Sequence, residues 1–98
     1  MRCGMSIEEV RDEVKDVDLE LLRLLAKRMD LAGRILDEKK KQGLAINDDR
    51  QTELVLKRAM EKALELNLDP AAVKELFKII IEMSISRQHE LSGEGKLP

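Results

Sequence analysis

An all-α fold of three helices, one long and two shorter, is the architecture this chain predicts, and three observations predict it. Its alphabet is that of helix formers: 43% of the 98 residues are hydrophobic and 39% charged, with one Phe and neither Trp nor Tyr. Apolar residues recur three and four apart through the first third of the chain, the period of one helical face. Two stretches, SIEE at 6–9 and DP at 69–70, carry helix-start chemistry. There is no strand alternation, internal repeat or low-complexity block, so residues 1–98 are expected to form one domain.

The first helix begins at Ser6, where Glu9 three residues on completes a capping-box pattern and Met5 is placed to staple onto Val10. Its stripe runs Ile7, Val10, Val14, Val17, Leu21, Leu24, Leu31 and Ile35, with Arg28 as the one interruption. Asp30–Arg34 and Asp37–Lys41 have the i,i+4 spacing of supporting ion pairs. A helix over 7–41 is about 50 Å long, whereas a compact chain of this size has a radius of gyration of about 13 Å. The two shorter helices cannot cover that length. A second copy is expected to cover the remainder, making an intertwined homodimer.

Residues 42–49 read as a loop, in which Asn47, Asp48 and Asp49 are the cap candidates for a second helix running to about Leu66, with Val55, Ala59 and Ala63 on one side. The third helix starts with Asp69 as cap and Pro70 at its first position, and runs to about Leu91. Residues 1–5 read as a leader and 92–98, SGEGKLP, as a disordered tail.

A net charge of −2 without stacking aromatics argues against nucleic-acid binding. Cys3 is the lone cysteine, so no disulfide framework or thiolate metal site is expected, and a reducing cytoplasm fits. With no apolar leader and no run of membrane-spanning length, neither secretion nor membrane insertion is expected.

The informative residues are polar ones in apolar registers. Stepping by sevens from Ile7 gives Val14, Leu21, Arg28 and Ile35, which puts a guanidinium in an aliphatic seam. Its neighbours three and four away are Leu24, Leu25, Leu31 and Ala32, so nothing on its own helix pairs with it. Position alone fits an Arg that snorkels at the end of the core, or one paired with a carboxylate on another helix. Lys39, however, lies three turns on, about 16 Å away, on nearly the same face, with small Ala32 between. The third helix repeats the anomaly: Val73, Phe77 and Ile80 lead into Ser84 and Gln88 before Leu91. That pair alone could mark where a helix leaves the core. Arg28, Lys39, Ser84 and Gln88 together describe a cationic pocket within a helical bundle, suited to a small anion. Arg11, about 25 Å from Arg28 along the helix, cannot share that ligand within one chain; an antiparallel partner helix would bring the other copy's Arg11 alongside.

In this order and spacing the residues resemble the all-α chorismate mutases. The resemblance covers about residues 7–91 and rests on VRDEVKDVDLELLRLLAKRMDLA, then Lys39, IND at 46–48, and LFKIIIEMSISRQ at 76–88. It implies the concerted rearrangement of chorismate to prephenate by an intertwined dimer, with no metal or cofactor. It also implies that Arg28 and the partner chain's Arg11 each hold a substrate carboxylate, that Lys39 and Gln88 donate to the ether oxygen, and that Ser84 sits by a carboxylate, with Asp48 and the start of the second helix at the substrate. There the chain departs from the family's Arg-Glu: NDDRQTE at 47–53 places Gln51 and Thr52 without a gap, and Arg50, Gln51 or Glu53 with a slip. Thr52 is preferred for the substrate hydroxyl because it keeps phase with Val55 and Ala59. Two rivals remain: isochorismate pyruvate lyase, which shares the fold and the basic residues, and a non-catalytic helical dimerisation module in which the charges are a solvated face. His89 reads as an ordinary surface residue, and the run Lys39–Lys41 by itself as a basic helix end.

Overall fold

The structure, a computed structural model, describes residues 6–93. Three helices follow one another: α1 over Ile7–Gln42, α2 over Asp49–Glu65 and α3 over Pro70–Ser92. Cys3, the Met5 staple and tail residues 94–98 lie outside the described residues. Ser92, expected in the tail, is instead the last helical residue, and its hydroxyl donates to the carbonyl of His89 at 2.8 Å.

Local chemistry sets each boundary. At the start of α1 the Ser6 hydroxyl accepts from the Glu9 N–H at 3.2 Å while the Glu9 carboxylate accepts from the Ser6 N–H, an arrangement worth about 1 kcal/mol. Gly43 ends α1 at φ 68°, a conformation that glycine adopts without a Cβ penalty, and its N–H returns to the last-turn carbonyls. Of the three candidates for the cap of α2, Asp48 takes the role, its Oδ1 accepting from the Gln51 N–H at 3.2 Å. After α2, Asn67 turns the chain at φ 59° and the Leu68 N–H bonds back to the Ala63 carbonyl at 2.8 Å. Asp69 then caps α3 through the Ala71 N–H, with Pro70 in the first turn where its missing N–H costs nothing.

Packing is organised by α3, which lies against both other helices; α1 and α2 do not pack on each other. The core of the chain is Ala32 and Leu36 from α1, Ala63 from α2 and Ile81 from α3, with the polar Ser84 and Gln88 buried beside them. The expected α1 stripe is not what the chain buries. Ile7, Val10, Val14, Val17, Leu21 and Leu24 are 44–60% exposed, and the covered face is the adjacent row through Ala32 and Leu36. For the bare first half the cause is reach: at 1.5 Å per residue α1 is about 54 Å long against about 35 Å for α3. The chain measures 57 × 30 × 22 Å with a radius of gyration of 17.5 Å, well above that of a compact domain. On the outer face Lys41 pairs with Glu38 at 3.3 Å, three residues back, rather than with Asp37. Among the described residues no helix is long and apolar enough to cross a membrane.

Candidate active site

Because α3 holds α1 and α2 apart, a cavity of about 340 Å³ opens between them. Six of the seven residues singled out from sequence line it: Arg28 and Lys39 from α1, Asp48 and Thr52 at the start of α2, Ser84 and Gln88 from α3. Arg11 does not. It is exposed on the first half of α1, as the 25 Å separation requires.

Arg28 finds its partner across the helix interface. Its Nη1 donates to Ser84 Oγ at 2.5 Å, and the Ser84 hydroxyl donates in turn to the Ile80 carbonyl at 3.2 Å. The serine is thereby committed on both sides and acts as a rest for the guanidinium, whose other N–H groups stay available. Burial lowers the Arg28 pKa from its ordinary value, and no carboxylate offsets the loss of hydration. The guanidinium stays charged throughout the physiological range, so the cavity holds a cation short of a counter-charge.

Lys39 sits three turns on, with Ala32, 2% exposed, on the floor between the two bases. Its ammonium donates to the Ile46 carbonyl and, at 3.0 Å, to Gln88 Oε1. An ammonium has three N–H groups, so one is left over. Burial lowers the Lys39 pKa and the nearby Asp48 carboxylate works against that shift. Gln88 is 4% exposed, and with Oε1 facing Lys39 its amide N–H₂ is left as a donor in the cavity wall.

Of the four positions proposed for the start of α2, Gln51 and Thr52 line the cavity; Arg50 and Glu53 do not. Leu31, Ile35 and Val55 make the apolar wall. Two features escaped the sequence reading. Arg58 lines the cavity from α2, and the step Gln51, Val55, Arg58, four then three residues, was the signal for it. His89, read as an ordinary surface residue, is half-buried, its Nε2 3.0 Å from Asn47 Oδ1. It ties the end of α3 to the α1–α2 loop beside the Lys39–Ile46 bond. No sequence period links residues 42 apart.

Cationic donors facing an apolar wall, in a cavity framed by three helices and the α1–α2 loop, define an all-helical domain with a cavity of the shape and charge that suit a small anion. The chain belongs to the chorismate mutase type II family, which it matches over residues 10–89. It is 31% identical to the bifunctional chorismate mutase/prephenate dehydratase of Buchnera aphidicola subsp. Acyrthosiphon pisum, over 93% of this chain and 24% of that protein. It is 27% identical to the chorismate mutase of Methanocaldococcus jannaschii, over 90% of this chain and 89% of that one. The chain thus spans about a quarter of the bifunctional relative and most of the archaeal one. No solved structure matches it.

Proposed function

We propose that the chain catalyses the rearrangement of chorismate to prephenate, as a homodimer in the cytoplasm. The observation that carries this reading is the convergence of Arg28, Lys39, Ser84 and Gln88, from two helices, on one cavity with apolar walls. In this rearrangement one C–O bond breaks as one C–C bond forms within a single molecule, and negative charge grows on the departing ether oxygen. No atom is gained or lost, and no electron acceptor is needed. A site for it must hold the compact conformer and aim donors at that oxygen.

The third N–H of Lys39 and the amide of Gln88 are those donors, preorganised by their mutual bond and by the Ile46 carbonyl. Arg28, braced by Ser84, presents its planar fork to one carboxylate, whose charge offsets the unpaired guanidinium. The second carboxylate is held by Arg11 of the partner subunit, delivered by the bare half of α1. Asp48 and Thr52 face the remaining hydroxyl, with Gln51 beside them.

The test is direct assay of the purified chain on chorismate and on isochorismate. Conversion of chorismate to prephenate, retained in the presence of a chelator, is expected. Pyruvate release from isochorismate with chorismate left intact would replace this reading with the lyase. Turnover of neither would reduce the chain to a dimerisation module.

A further inference from the structure

Arg58 is the cavity's uncommitted cation. It lies on α2, facing the wall of α1 that carries Arg28 and Lys39. Those two bases are tethered to Ser84, Gln88 and the Ile46 carbonyl, whereas Arg58 makes no hydrogen bond or ion pair among the described residues. A local partner was within reach in sequence, since Glu61 stands three residues on, where an ion pair commonly forms. Glu61 instead lines a separate depression with Met60 and Leu64, while Arg58 lines the cavity. Arg58 thus borders the site and, among the described residues, is paired with no carboxylate.

Charge balance gives that placement a use. Three cations, Arg28, Lys39 and Arg58, face a single carboxylate, Asp48, so one chain presents a surplus of two positive charges around an apolar wall. A dianion offsets that surplus more fully than a neutral or monoanionic ligand, and Arg11 of the partner subunit adds to the preference. We infer that Arg58 is a further substrate-binding residue, a guanidinium on α2 that grips the carboxylate opposite the one held by Arg28. The ligand is then clamped between facing walls of one chain, and Arg58 shares its carboxylate with Arg11 of the partner subunit. This inference rests on the proposed reading of the site as one for a small dicarboxylate.

Calorimetric binding of a stable bicyclic dicarboxylate shaped like the compact conformer, and of its two monomethyl esters, tests it. In Arg58→Ala the dicarboxylate and the monoester whose free carboxylate faces α2 weaken about 10- to 100-fold, the range for losing a charge-assisted contact. The other monoester binds as it does to the wild type. Arg58→Lys falls between, because the charge remains but the fork is lost. Arg58 is exposed and unpaired, so an unchanged melting temperature is expected and certifies the fold. Equal weakening of all three ligands would reduce Arg58 to a contribution to the general field, and no weakening would remove it from the site; either overturns the inference alone. A wild-type chain that binds none of the three overturns the dicarboxylate reading as well.

Discussion

Residues 7–24 and 28–42 of α1 belong to one unbroken helix with one apolar period, yet their surroundings are opposite. The second run lies under α3, buries Ala32 and Leu36, and turns Arg28 and Lys39 into a cavity. The first presents eight large aliphatics to solvent, six of them on the one stripe. Periodicity assigns a face to a helix but not the partner that covers it. Cover depends on the lengths of the other elements, and here α2 and α3 are too short to serve both halves. A contiguous aliphatic stripe of this extent is the mark of an interface. In the proposed homodimer the two halves are complementary, one building a site and the other completing the site of a second copy.

The largest effect that can break this division comes from its two arginines. Arg28→Ala removes the braced fork, and Arg11→Ala the one brought by the partner; each is expected to lower kcat/KM by about 10²–10³-fold with helicity retained. Mixed in equal amounts and allowed to exchange subunits, the two inactive variants should recover roughly a quarter of wild-type activity. Half of the dimers in such a mixture are hybrids, and each hybrid has one intact site. Absence of recovery, after exchange is verified by mass spectrometry, would mean that Arg11 does not cross the interface.

A smaller effect is expected from Leu21→Asp, which places a carboxylate in the middle of the bare stripe without touching the cavity. Burying that charge against a partner is costly, so dimer affinity should fall by at least about 10²-fold. Sedimentation velocity over a dilution series reads it, and activity should fall at the same concentrations at which the dimer dissociates. An unchanged assembly would show that the stripe is not the contact.

How much of this was legible beforehand follows the same division. Helix ends were legible because capping is local: Ser6 with Glu9, and Asp69 with Pro70, settle their termini within four residues. The cations and polar breaks were legible because Arg28, Ser84 and Gln88 contradict the apolar period around them, which no local preference explains. The rotation of α1 was not. The stripe through Leu24 and Leu31 and the row through Ala32 and Leu36 are adjacent faces, and only docking against α3 selects the second. Arg58 and the His89–Asn47 bond escaped for a related reason: both acquire meaning from how α2 and its preceding loop are placed across from α1 and α3.

The finest distinction lies within the site-bearing half, between a donor that cannot change its charge and one that can. Gln88 is 4% exposed, its Oε1 accepts from Lys39 at 3.0 Å, and its amide N–H₂ is the group assigned to the ether oxygen. Gln88→Glu keeps the shape and the acceptor toward Lys39 but replaces that donor with an oxygen that donates only when protonated. Above the variant carboxyl's pKa the site sets an anion against an oxygen that is itself gaining negative charge. Below it the protonated carboxyl donates where the amide did. Two influences place that pKa: burial raises it, and the Lys39 ammonium lowers it. On either balance the sign is the same, because the protonated form is the active one. The variant's kcat/KM should therefore rise about tenfold per pH unit as pH falls toward that pKa and then level, over a series from about pH 8 to about pH 5, whereas the wild type shows no such limb. A variant as active as the wild type across that series would remove Gln88 from the reacting oxygen and leave it as a brace for Lys39.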